Sequence, residues 1–196
     1  MIRHGETEAN AAQIMAGSLD SPLTLAGREQ ARAVQDIVKN LPEKPTIVVH
    51  SHLSRARDTA RIINESLGLP MIEDADFAEI HAGDLEGVPW SQCGDFDDWR
   101  DMPNGERFED FFERIKRAKR RILTSDTELP LIVSHGGVFR ALAKLYGMET
   151  PSVRNCHLHE FTPADGKKSG LPWDVWHYDY DEAVIRSRAK LFYDED

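Results

Sequence analysis

Near the start of the chain stands Arg3-His4-Gly5-Glu6-Thr7, and a second His-Gly stands far downstream at His135-Gly136-Gly137. An arginine and two histidines, each beside a glycine and after an apolar stretch, are the side chains needed to grip a phosphoryl group. A histidine can also carry that group covalently. The glycines let the backbone approach a ligand closely, and a helix N-terminus offers N–H groups to an anion. Between them lie Ser51 to Arg57, with Arg55 and Arg57, and further on the loop residue Glu79. Singly each is weak evidence: a lone histidine is more often a surface or core residue, Arg55 and Arg57 solvated cations, Glu79 a surface carboxylate. Their joint placement after apolar runs makes phosphate-ester chemistry the sharper reading.

The elements that would position them alternate. Thr46-Ile47-Val48-Val49 reads as a buried strand, and Leu129 to Ser134 as another, with Pro130 tolerable only near its beginning. Cys156 to Phe161 alternates polar and apolar positions, and Trp173 to Tyr178 adds a late strand at an edge. Ala31, Val34, Val38 and Leu41 line one face of a helix that Thr24 can cap. Ala56, Ala60, Ile63 and Leu67 do so in the next, closed by Gly68. A third helix runs from about Arg107 to Leu123, and a fourth from about Val138 to Tyr146. The alternation implies an α/β fold, a three-layer α/β/α sandwich with a mostly parallel central sheet. In such sheets ligands bind outside the carboxyl ends of the strands, where His4, Ser51–Arg57 and His135 fall. The segment 83–105 reads as an irregular excursion or lid, with Trp90, Phe96 and Trp99, and 163–172 as a loop; the last residues, 193–196, read as frayed.

The chain has 196 residues, 40 % of them hydrophobic, which suits a single domain over 1–196. Its 34 acidic against 24 basic residues, net −10, argue against nucleic acid or an anionic membrane as partner. A phosphate pocket must therefore be built locally against an unfavourable field. Cys93 and Cys156 suggest no disulfide framework and have no metal-ligand spacing. No leader and no membrane-length apolar run stands out, so a cytoplasmic protein is expected.

Arg3-His4-Gly5-Glu6-Thr7-Glu8-Ala9-Asn10 resembles the opening signature of the histidine phosphatase superfamily, which includes the cofactor-dependent phosphoglycerate mutases. Further blocks come in order: Gly17 to Thr24 with Gly27; Ser51-His52-Leu53-Ser54-Arg55-Ala56 with Thr59-Ala60; Glu79 to Gly87; and Ser134-His135-Gly136-Gly137-Val138-Phe139-Arg140. Together they extend from residue 3 to about 160. The resemblance implies that His4 is the nucleophile and forms a phosphohistidine. It implies that Arg3, Arg55 and His135 clamp the phosphoryl oxygens, and that Glu79, rather than Glu86 or Asp84, is the acid and base. Asn10, Gly17 and Gly136 are assigned to substrate binding. No metal and no cofactor is implied, because the cationic clamp supplies the charge.

The expected activity is that of a phosphoric monoester hydrolase of this histidine acid-type group acting on a small-molecule phosphate ester. Phosphoglycerate-mutase-type phosphoryl transfer is the alternative, and a catalytically idle phosphate-binding protein the second. A homodimer is open, with 173–193 as a segment that could form its interface. His52 and His81 are candidates for the pocket mouth, and His50, His52 and His81 match no strong metal spacing. His157 and His159 read as a half-exposed strand surface. Two departures from the family matter. Only Met1 and Ile2 precede Arg3 where the family has a full strand, so the natural protein is expected to begin upstream, or the strand is stunted and its nucleophile poorly anchored. Gly137 replaces the Asn usual after His-Gly in the mutases, and 83–105 carries one Arg and no Lys, which favours the phosphatase branch.

Overall fold

The computed structural model describes residues 1–94, 101–124, 129–147, 152–163, 173–181 and 183–188. A seven-stranded sheet runs through it. The strands are β1 (Ile2–Arg3), β2 (Ile47–His50), β3 (Met71–Glu73), β4 (Pro130–Ser134), β5 (Leu158–Pro163), β6 (Trp173–Asp181) and β7 (Ala183–Arg188), in the order β3-β2-β4-β1-β5-β6-β7. Pairings among β3, β2, β4 and β1 are parallel, whereas β1–β5, β5–β6 and β6–β7 are antiparallel. The half that carries the chemistry is thus parallel as expected, and the far half is antiparallel. The late strand is longer than its alternation suggested and is not an edge, because β7 pairs along it.

Alternation along β2 and β4 divides the core. Val48, Leu131 and Val133 face α2 (Leu25–Lys39) and α3 (Ser54–Asn64), in one cluster with Ala31, Val34, Val38, Ala56, Ala60 and Ile63. Val49 and Ile132 face the other way, against Phe108, Phe111, Ile115 and Ala118 of α4 (Phe108–Leu123) and Val138, Ala141 and Leu142 of α5 (Gly136–Leu145). Thr24 caps α2 as expected, its hydroxyl accepting from the Gly27 N–H at 3.0 Å. Helix α5 begins two residues before its expected start: the glycines take helical conformation directly after His135, so their N–H groups form the first turn. A short helix α1 (Glu8–Ala11) is fixed by a capping box between Thr7 and Asn10. Among the described residues, no helix is long and apolar enough to cross a membrane.

Two expectations change. His157 and His159 are buried, not half-exposed, at 7 % and 0 % exposure. Their face of the β5–β6 pair packs under α5, where the His159 ring lies 5.2 Å from that of Phe139, centroid to centroid. The short β1 is also less isolated than its length implied. Ile2 is fully buried, the His4 N–H donates to Ser134 O at 2.9 Å, and the Cys156 N–H donates to Arg3 O at 2.9 Å. The Asn155 side chain donates to His4 O at 2.9 Å, and the Gly5 N–H donates to Thr59 Oγ1 at 3.0 Å. Contacts from three separate segments hold His4 where strand length does not. Cys93 and Cys156 are both free and buried. Phe96, Trp99, 164–172 and 189–196 lie outside the described residues.

Candidate active site

His4 lies directly after β1 and is buried. Its Nδ1 sits 2.7 Å from the Gly5 carbonyl, which can only accept, so Nδ1 carries the proton and Nε2 keeps its lone pair. Burial holds the imidazole well below its ordinary pKa, and Arg55 and Arg3 push it further down, against the Gly5 hydrogen bond. The ring is therefore neutral at neutral pH, with a lone pair at Nε2.

His135, at the end of β4, faces it, with ring centroids 5.1 Å apart. Arg55, in the first turn of α3, donates from Nε to His135 Nδ1 at 3.3 Å. That bond places the His135 proton on Nε2, a buried donor with no partner among the described residues. His135 too is held well below its ordinary pKa, by burial first and then by Arg55 and His4. Arg55 is buried and also donates to Leu19 O at 2.8 Å and Gly17 O at 2.6 Å. Gly17, at φ 53°, turns the chain so that its carbonyl meets this guanidinium.

Arg3 donates from Nη1 to Val153 O at 2.7 Å, and its Nε is a second buried donor without a partner among the described residues. Burial lowers the Arg3 pKa, while Glu79 raises it. Glu79 reaches the first turn of α5, where Oε2 accepts from the Gly137 N–H at 3.1 Å and Oε1 from the Ile80 N–H at 3.0 Å. Gly136 stands beside Arg3, a Cβ there meeting Arg3 Nε at 3.6 Å. Asn10 spends its amide oxygen on the Thr7 N–H at 3.3 Å and the Asn155 amide at 3.2 Å, so its N–H2 end remains to donate. Arg3, His4, Arg55, Glu79, His135 and Gly136 thus form one connected group at the carboxyl ends of β1 and β4, with Asn10 and Gly17 fastened to its rim. His52 and His81 do not join it. Both are exposed, and neither lines the pocket that opens from Glu79.

Several residues that hold this group escaped sequence reading. Arg114, on α4, donates to the carbonyls of Asp76 at 2.9 Å, Ala78 at 2.7 Å and Glu79 at 2.9 Å. It pairs with Glu106 at 2.7 Å, both side chains nearly buried at 12 % and 17 % exposure. The loop bearing Glu79 is thereby tied to α4. Glu86 accepts from the Ser18 and Ala82 N–H groups and so steadies the Gly17 turn under Arg55. In sequence, Arg114 sits in a dense charged helix face, and only its i−8 spacing to Glu106 sets it apart. Among the described residues, the one group of three side chains able to hold a metal ion is made of others: His157, His177 and Asp179.

Residues 1–173 match the sequence profile of the Histidine phosphatase superfamily (branch 1). The chain belongs to this superfamily. Among its relatives, the "Uncharacterized phosphatase PhoE" of Bacillus subtilis is 35 % identical over 159 residues, covering 81 % of each chain. The "Probable phosphoglycerate mutase GpmB" of Serratia proteamaculans is 34 % identical over 203 residues, covering 91 % of this chain and 94 % of that one. Among solved structures, the alpha-ribazole phosphatase of Shigella flexneri superposes with a TM-score of 0.69 at 26 % identity, covering 100 % of this chain and 98 % of that one. YhfR of Bacillus stearothermophilus gives the same score and identity over 95 % and 93 %. This histidine phosphatase is accordingly of phosphatase or mutase type.

Proposed function

We propose that the protein is a phosphomonoester phosphatase working through a phosphohistidine on His4. The observation that carries the reading is the pair of buried donors without partners among the described residues, Arg3 Nε and His135 Nε2, beside a histidine whose Nε2 lone pair is free of a proton. Unmatched buried donors are costly, and an anion between them removes that cost. His4 Nε2 attacks phosphorus in line and the P–O bond to the alcohol breaks, with Glu79 giving its proton to the departing oxygen. The Glu79 carboxylate then takes a proton from water as that water attacks the phosphohistidine, and the N–P bond breaks to release phosphate and restore His4. Arg3, Arg55 and His135 meet the charge on the non-bridging oxygens throughout.

The organic half of the ester enters the pocket of about 410 Å³ beside Glu79 and Gly137. Met15, Ile80, Trp90, Met102, Phe108 and Phe111 line it, so an apolar small-molecule alcohol suits it. Of the aromatic residues expected to form a lid, Trp90 is among the lining. Arg140 also lines it, and with the GpmB-type relatives this favours a second reading, phosphoryl transfer between phosphoglycerates, whose carboxylate Arg140 would meet.

The test is to incubate wild type and His4→Ala with a panel of aryl and alkyl phosphates, quench in base, and look for phosphohistidine by mass spectrometry. Trapping in wild type, and loss of trapping and turnover in the variant, is the expected result. Full turnover in His4→Ala would mean direct attack by water. Phosphoglycerate interconversion that outruns hydrolysis would move the protein to the second reading.

A further inference from the structure

The β5–β6 pair and the residue ahead of β5 place His157, His159, His177 and Asp179 on one face, the first two buried, apart from the phosphoryl site. His159 pairs with His177 across the ladder, and continuing that antiparallel register sets His157 opposite Asp179. The Asp179 carboxylate bridges two imidazoles: Oδ1 is 3.6 Å from His157 Nε2, and Oδ2 is 3.6 Å from His177 Nε2. One atom from each of His157, His177 and Asp179 lies within 4.8 Å of the other two. Ligand atoms around a tetrahedral ion with bonds of about 2.0–2.1 Å stand about 3.3–3.4 Å apart. Closing the cluster onto an ion asks for a movement of only about 1 Å in side chains carried on paired strands.

The protonation pattern is also suitable. Arg154 Nη2 stands 3.1 Å from His157 Nε2 and 2.9 Å from Asp179 Oδ1. A guanidinium only donates, so His157 presents a lone pair at Nε2, toward the carboxylate. The cluster already holds one cation, the Arg154 guanidinium, against two of its three members. Arg154 is largely exposed, at 69 %, so it can withdraw into solvent, and Asp179, at 46 %, leaves an approach open.

We propose that His157, His177 and Asp179 form a binding site for a divalent transition cation of the zinc class, with Arg154 occupying the cation position in the metal-free protein. Two imidazoles and a carboxylate are a ligand set this class favours over magnesium or calcium. Three protein ligands leave a fourth position for water or for Ser187, whose Oγ is 2.7 Å from His177 Nε2. The segment bearing Arg154 also fastens Arg3 and His4 through Val153 and Asn155, so binding itself is the suitable readout rather than turnover.

The experiment uses the full chain without an affinity tag, titrated with Zn²⁺ against a chromogenic chelator and with Co²⁺ by visible absorption. One Zn²⁺ per chain and tetrahedral Co²⁺ bands are expected. His177→Ala and Asp179→Asn should each weaken binding by more than about 100-fold, beyond the 10–100-fold typical of outer-sphere changes. Arg154→Ala, which removes the competitor and no ligand, should tighten it by about tenfold. Should a ligand variant fail to fold, the comparison of Arg154→Ala with wild type still decides. Absence of saturable binding in both of those proteins, weaker binding in Arg154→Ala, or unchanged binding in folded His177→Ala would each overturn the site.

Discussion

Gly137 offers the sharpest perturbation of the proposed acid. A Cβ built there lies 2.0 Å from Glu79 Oε1, 3.0 Å from Cδ and 3.3 Å from Oε2. Ordinary contact begins near 3.4 Å, so the carboxylate in Gly137→Ala must withdraw by about 1.4 Å (3.4 less 2.0) and give up its bond from the Gly137 N–H. The obstructed atom ends a side chain that can rotate away, so the backbone need not move. Alanine in the first turn of α5 also favours helix by up to about 1 kcal/mol relative to glycine. The melting temperature should therefore hold or rise while catalysis falls. A displacement of about 1 Å costs on the order of 100-fold, within the range that general acid catalysis supplies. The assay is kcat/KM over a series of phosphate esters, because that ratio reports the first P–O cleavage. Alkyl esters, which need the proton, should lose about 100-fold, and aryl esters of acidic phenols less than about tenfold. Glu79→Gln should show the same leaving-group dependence, and the double variant little further loss. An equal loss across the series, or full activity on alkyl esters, would refute this placement of Glu79.

Three further outcomes are set by the geometry. Arg114→Lys cannot reach the Asp76, Ala78 and Glu79 carbonyls together, and should cost about 3 kcal/mol in urea unfolding while lowering kcat more than KM for alkyl esters; an unchanged kcat would remove Arg114 from the positioning of Glu79. His4 and His135 stay well below 6.5, and burial takes His157 to about 4 and His159 to about 3, so the native state binds fewer protons than the unfolded state below about pH 6.5. Stability is then full above pH 6.5 and falls with acid, by up to about 4 kcal/mol between pH 6.5 and 5.5 for four such histidines, and urea midpoints that stay flat over that span would contradict it. Beneath Met1, a groove of about 280 Å³ runs between Pro130–Ile132 of β4 and Glu160–Phe161 of β5, continuing the track of β1. Adding an apolar three- or four-residue extension ahead of Met1 should fill it and raise the melting temperature by about 3–6 °C, once ordering offsets most of the burial; equal melting temperatures would count against the groove as a strand position.

How much of this was readable beforehand depended on whether the determining contact was local. The strands at 47–50 and 130–134 and helices α2 and α4 carry their own periodicity, so Val48, Ala31 and Phe111 fall where their spacing puts them. The antiparallel half was less legible because β7, Ala-Val-Ile-Arg-Ser-Arg, owes its strand to pairing with β6 rather than to its own pattern. His157 and His159 misled for a related reason. Period-two alternation says that two side chains share a face but not what covers it, and the cover is α5, which lies earlier in the chain. At the site, residue types and strand-end positions brought Arg3, His4, Arg55, Glu79 and His135 to notice, whereas Arg114 and Asn155 hold backbone carbonyls, a role that residue type does not signal, and Glu86, noticed only as a rival acid, holds backbone amides.

The anchoring of His4 is non-local in the same sense. A two-residue strand cannot fix a nucleophile through ladder bonds alone. Here the restraint comes from separate segments: Thr59 of α3 accepts from the Gly5 N–H, and Asn155 and Cys156 donate to the His4 and Arg3 carbonyls. Thr59 Oγ1 donates in turn to Arg55 O at 2.7 Å, so one hydroxyl ties the backbone beside His4 to the backbone of Arg55. Orientation of the imidazole then rests on its own bond to Gly5, which needs only that residues 4 and 5 be held. These contacts fix residues 3–5 at the carboxyl end of β1, while the groove under Met1 lies at its other end.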